Sequence, residues 1–212
     1  MIWYNYINAG LLIIIWIVIL SGFSNNKQKR AYWLLFFFIY SITEFISIVF
    51  EIYSKNNLWL YNISKPLQFL SLIAYFFSLL SISLVTRLIT LVCSVAIFTS
   101  FLLLKRITDY NSLVDIIFSS FILVLCLIYF YRLISNDEEL HSNSSEIWFC
   151  ASIFLFFGPN LCINGALNFL LKIQFSVARK LFYLLVINSY IFYLFTLYAL
   201  FITSGSKKRY GR

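Results

Sequence analysis

Seven apolar stretches, each close to the length that crosses a bilayer, follow one another with only short polar breaks between them. A chain written this way cannot hide its apolar surface in a water-soluble core, because too little polar sequence remains to cover it. Hydrophobic residues make up 62% of the 212 positions and charged residues only 11%, where a soluble domain carries roughly 25% charged residues. Mean hydropathy is +0.89. The class that follows is all-α, a polytopic membrane protein.

A helix rises about 1.5 Å per residue, so roughly 20 apolar residues cross a hydrocarbon core of about 30 Å. The stretches at 7–23, 32–53, 112–133, 147–171 and 181–202 each satisfy this. The run 66–104 is too long for one crossing: as a single helix it would reach about 60 Å, roughly twice the hydrocarbon thickness. It must fold back. Charge and hydroxyls coincide only between Ser81 and Arg87, which places a turn near Thr86-Arg87 and gives spans at 66–85 and 88–104. The expectation is one seven-helix domain over 1–203 and a basic tail over 204–212, with six spans and one interfacial segment as the rival count.

Local signals support these limits. Ser64 before Pro66 suits a helix start, since proline lacks an N–H that has no intrahelical acceptor there. Ser112 with Asp115, and Asn143 with Glu146, have capping-box spacing. Trp33, Trp59, Tyr61, Trp148 and Tyr183 fall near span ends, where amphipathic rings favour headgroups. The first stretch has no cation before it and no small-residue cleavage site after it, so it reads as a retained span rather than a signal peptide.

Lys27, Lys29 and Arg30 follow the first span. The positive-inside bias then puts the N-terminus outside and, with seven spans, Lys207, Lys208, Arg209 and Arg212 in the cytoplasm of a cell with this as its inner membrane. Over the whole chain nine cations fall inside and seven outside, so orientation rests on the first loop and the tail. The net charge of +8 is scattered over both faces. It suits anionic headgroups, at about 1 kcal/mol per basic residue, and argues against direct nucleic-acid binding.

Soluble-enzyme chemistry has little to stand on. Cys93, Cys126, Cys150 and Cys162 lie within spans without CxxC spacing and read as small apolar residues. His141 is the one histidine, in an acidic loop with Asp137, Glu138 and Glu139. No cofactor or metal is expected, and no phosphate loop or hydrolase motif occurs.

The informative residues are polar ones inside spans, which cost several kcal/mol unless paired or hydrated. Glu44 lies near the middle of the second span. Ser41, Glu44, Ser47, Glu51 and Ser54 recur at intervals of three and four, which puts them on roughly one helix face. Asn160, Asn164 and Asn168 form a stripe in the sixth span beside Gly158, Pro159 and Gly165; Asn188 lies in the seventh and Gln68 in the third. Depth predicts one cluster in the outer half of the bundle from Glu44, Glu51, Gln68, Asn160, Asn164, Asn168 and Asn188. Packing at roughly 0.6 kcal/mol per bond is the plainer reading for the asparagines, and specific pairing for Glu44. Asp115 reads as a helix cap and Lys65 as an interfacial residue with its ammonium drawn toward water.

Three functions fit these features. An accessory or regulatory protein would act through a protein partner or a second copy. A small transporter or channel shares the seven-span size of the PQ-loop families, but segments one and five lack the prolines that those families place there. An intramembrane lipid enzyme would need Glu44 and Glu51 to converge, and two turns separate them by about 10 Å.

The run Leu60-Tyr61-Asn62-Ile63-Ser64-Lys65-Pro66-Leu67-Gln68-Phe69-Leu70, after Glu44-Phe45 and Glu51-Ile52-Tyr53, resembles small seven-helix membrane proteins of Bacteroidetes-type bacteria. In size and composition the chain is also similar to the membrane accessory proteins encoded beside the RNA-guided ribonuclease of type VI-B CRISPR systems. That resemblance implies modulation of the nuclease in phage defence, without catalysis, and carries no site residues with it.

Overall fold

Helices occupy nearly every residue that the computed structural model describes, namely 3–22, 27–53, 55–104, 112–135, 144–173 and 175–210. Among the described residues there are seven: α1 (Trp3–Gly22), α2 (Lys27–Ile52), α3 (Leu58–Leu79), α4 (Leu84–Leu104), α5 (Ser112–Ser135), α6 (Ser144–Ile173) and α7 (Phe175–Tyr210). Four contain stretches long and apolar enough to cross a membrane: Ala31–Ile52, Leu113–Ser135, Ser145–Leu167 and Tyr183–Ile202. Tyr4–Leu20 and Val85–Ala96 are shorter apolar stretches. The chain is therefore an all-α, multi-pass membrane protein by helix length and hydropathy. His141 and the acidic run 137–139 lie outside the described residues, as do Asn143 and Ser54.

The chain divides into two units, one of residues 26–118 and the other of 1–25 with 119–212. In the first, α2 and α3 form an antiparallel hairpin. Trp33, Phe36, Phe37 and Tyr40 recur at helical spacing and are buried, with Trp33 stacked on Phe37 at 6.0 Å between ring centroids. On α3 the matching ridge is Phe69, Leu72, Ile73, Phe76 and Phe77. Phe50 meets Trp59 edge-on at 5.8 Å near the hairpin's turn, and Phe69 stacks on Phe118 of α5 at 4.0 Å.

Both limits expected for the third span are corrected. The helix starts at Leu58, not Pro66: Asn57 is its N-cap position without a side-chain capping bond, and just ahead of it the Asn56 carboxamide oxygen accepts the Leu58 N–H at 2.9 Å, turning the chain into the helix earlier. Pro66 sits inside the helix, and Ser64 donates back to the Tyr61 carbonyl at 3.4 Å instead of capping. The fold-back falls at Leu80–Ser81, ahead of Thr86-Arg87. Ser81 takes a left-handed φ of 51°, and the Ile82 N–H reaches back to the Phe77 carbonyl at 3.1 Å. That is a Schellman ending with serine where glycine is usual. The charge and hydroxyls that drew attention to this region cap the two flanking helices. Arg87 donates from Nε to the Ile82 carbonyl at 2.9 Å and from Nη2 to the Phe77 carbonyl at 3.2 Å. Ser83 Oγ accepts the Thr86 N–H at 3.3 Å and so caps α4.

In the other unit α6 and α7 are the most extensively packed pair, and α1 lies against α7. The Tyr190 hydroxyl of α7 donates to the Tyr4 carbonyl of α1 at 3.3 Å. Ile153 and Leu167 of α6 and Phe192, Tyr193 and Thr196 of α7 are almost wholly buried. Phe156 packs on Phe192 at 4.8 Å, and Trp148 meets Tyr198 edge-on at 4.7 Å. At 36 residues α7 would extend about 54 Å, so it outlasts the hydrocarbon. The basic segment expected as a tail continues this helix as far as Tyr210.

Candidate functional site

The unit of residues 26–118 gathers the densest set of polar groups. The serine and glutamate periodicity of α2 puts Ser47, 5% exposed, one turn from half-buried Glu44. The α2–α3 turn is short enough to bring the first turns of α3 alongside. The Tyr61 hydroxyl then sits 3.2 Å from Glu44 Oε1 and 2.9 Å from Ser47 Oγ. The Asn57 carboxamide, in the turn itself, donates to Ser47 Oγ at 2.7 Å.

One turn further along α3, Lys65 forms an ion pair with Asp115 of α5. Asp115 is 7% exposed and Lys65 30%. The ammonium also lies 6.0 Å from the centroid of the Tyr61 ring, within cation–π range. Asp115, Lys65, Tyr61, Glu44, Ser47 and Asn57 thus form one connected set over α2, α3 and α5. Chemically, it offers two carboxyl groups, one ammonium and two hydroxyls in a low-dielectric setting, where each bond is electrostatically stronger than in water.

Of the residues singled out from sequence, Glu44 is at the centre of this set. Glu51 is half-buried two turns along the same helix face. Gln68 lies one turn beyond Lys65, where its backbone carbonyl accepts the Ser71 hydroxyl at 2.7 Å.

The asparagines belong to the other unit. Asn188 of α7, 4% exposed, donates from Nδ2 to Asn160 Oδ1 at 3.1 Å and to the Phe156 carbonyl at 2.7 Å on α6. Pro159 provides no N–H for the carbonyl four residues earlier, and the carbonyl that Asn188 engages is the next one along. Asn164 is buried one turn beyond Asn160, and the side chain of Asn168 lies outside those described. These contacts fit helix–helix packing.

Four members of the site escaped the sequence reading, Asn57 without being singled out at all. Tyr61 looked like an interfacial ring, Lys65 like a snorkelling cation and Asp115 like a cap. The signal that could have joined the last two is that opposite charges open the third and fifth spans, which start on the same side in a seven-span layout. Among the described residues, Cys93, Cys126, Cys150 and Cys162 are free thiols, and no three His, Cys, Asp or Glu side chains converge as metal ligands would. Set against known proteins, the chain matches no family model, no curated protein and no solved structure.

Proposed function

We propose that this chain is an accessory or regulatory component of the cell's inner membrane, acting through a protein partner or a second copy. The carrying observation is how its intramembrane polar groups are used: Asp115 is taken up by Lys65, Glu44 by Tyr61, and Asn188 by Asn160. Such groups hold helices together. What remains for contact with others is the flank of the helices, clearest on α4, where Val85, Leu88, Ile89, Leu91, Val92 and Val95 are all exposed. The similarity to type VI-B accessory proteins makes an RNA-guided ribonuclease the first partner to test, with the membrane protein modulating it and not contacting nucleic acid itself.

The test is crosslinking in native membranes followed by affinity purification, alongside phage-restriction assays with and without the neighbouring nuclease. A stoichiometric partner whose activity changes when this chain is deleted supports the reading. A monomer with no partner and no effect on any neighbouring gene product overturns it. A transporter remains as second reading because Glu44 is linked by hydroxyls to the α2–α3 turn. Solute flux in liposomes that disappears with Glu44→Gln would favour it.

A further inference from the structure

We propose that Ser47 and Tyr61 form a relay that carries a proton between the α2–α3 turn and Glu44, with Asn57 orienting its outer hydroxyl, making Glu44 a proton-binding site addressed from that end of the hairpin. The inference starts from depth. Glu44 lies eight residues before the end of α2 at Ile52, so its carboxyl is about 12 Å along the helix from the turn. A proton cannot cross that distance through side chains that carry no exchangeable hydrogen. Ser47 and Tyr61 fill the gap with hydroxyls, at 2.9 Å from each other and 3.2 Å from the carboxylate, while Asn57 at 2.7 Å closes the outer end. The turn beyond it, at Lys55 and Asn56, is exposed.

Proton counting gives the chain a direction. Tyr61 and Ser47 each own one hydroxyl hydrogen. With Glu44 ionised, the order that uses every donor once is Asn57 N–H to Ser47, Ser47 O–H to Tyr61, and Tyr61 O–H to Glu44. With Glu44 protonated the order reverses: Glu44 donates to Tyr61, Tyr61 to Ser47, and Ser47 to the Asn57 carbonyl oxygen after the amide turns over. Passage between the two states moves one proton in total. A proton joins Ser47 Oγ from water at the turn, the serine's own proton passes to Tyr61 Oη, and the tyrosine's passes to the carboxylate. Only O–H bonds break and form, and no co-reactant is consumed.

Among the described residues, the charged and titratable groups acting on this chain are Lys65 and Tyr61 on α3 and Glu51 on α2, with Tyr40 of α2 also acting on the phenol. Lys65 is held by Asp115, so its positive charge stays beside the relay. The relay is independent of the accessory reading: it describes how Glu44 exchanges protons, whichever partner or solute the protein serves.

Time-resolved infrared spectroscopy after a pH jump, on the full chain in lipid nanodiscs, tests this. A protonated-carboxyl band that changes with pH is expected, lost in E44Q and kept in E51Q. Y61F and S47A should each slow its appearance on the order of a hundredfold, the loss expected when a positioned proton carrier is removed. S47T keeps the hydroxyl and should exchange at the parent rate. S47C, similar in size but a poor carrier, replaces S47A if that variant does not fold. The proposal is overturned by a band that survives E44Q or ignores pH, by Y61F and S47A exchanging at the parent rate, or by S47T being as slow as S47A.

Discussion

Lys65 shows what a charge does when its surroundings are lipid and protein rather than water. Its ion pair with Asp115 joins α3 to α5 across 50 residues of sequence, and the partner carboxylate is 7% exposed. Removing one member of such a pair leaves the other uncompensated. K65M is expected to lower unfolding stability in detergent by about 3–5 kcal/mol, while the double variant K65M/D115L recovers most of the loss. A double variant whose loss equals the sum of the two single-variant losses would show that the pair contributes nothing. Asn188 belongs to a cheaper class, an amide between two helices. N188A should cost about 0.6–2 kcal/mol by the same unfolding measurement. At this scale the sequence was informative about which residues are costly, because an acid or amide amid apolar neighbours is visible in one dimension. It was poor about partners: Tyr61 lies 17 positions from Glu44, and nothing in either local stretch names the other.

Helix limits depend on satisfying the backbone groups left over at each end, and here one arginine does much of that for two elements. Arg87 covers the Phe77 and Ile82 carbonyls while its own N–H bonds the Ser83 carbonyl at 3.1 Å. R87M should therefore destabilise the α3–α4 connection by about 1–2 kcal/mol, read as faster hydrogen exchange at Leu80 and Ile82. Ser81 makes the opposite prediction. An L-residue in the left-handed region costs about 1–2 kcal/mol, so S81G should stabilise the protein by up to about 1 kcal/mol after glycine's entropy is counted. S81V should destabilise it, and thermal unfolding of the two variants checks the sign. Apolar run length located the helices well in the sequence. The turn was misplaced by several residues because a cap and the residues it serves look alike before the chain is folded.

Taken whole, the molecule's four long apolar helices put it in a bilayer. It should remain in the membrane fraction through an alkaline carbonate wash and leave it only with detergent. With the seven-span layout proposed here, reporters fused to the two termini should label opposite faces; labelling on one face would favour six spans. Partition into lipid is a sum over residues, and a helix satisfies its backbone within its own segment, so sequence alone determined the class, the helices and the presence of costly polar groups. Which of those groups meet was decided only by tertiary structure. Glu44 meets Tyr61, and Asp115 meets Lys65, because the rotation and offset of neighbouring helices bring distant side chains to one depth, a property no single segment carries.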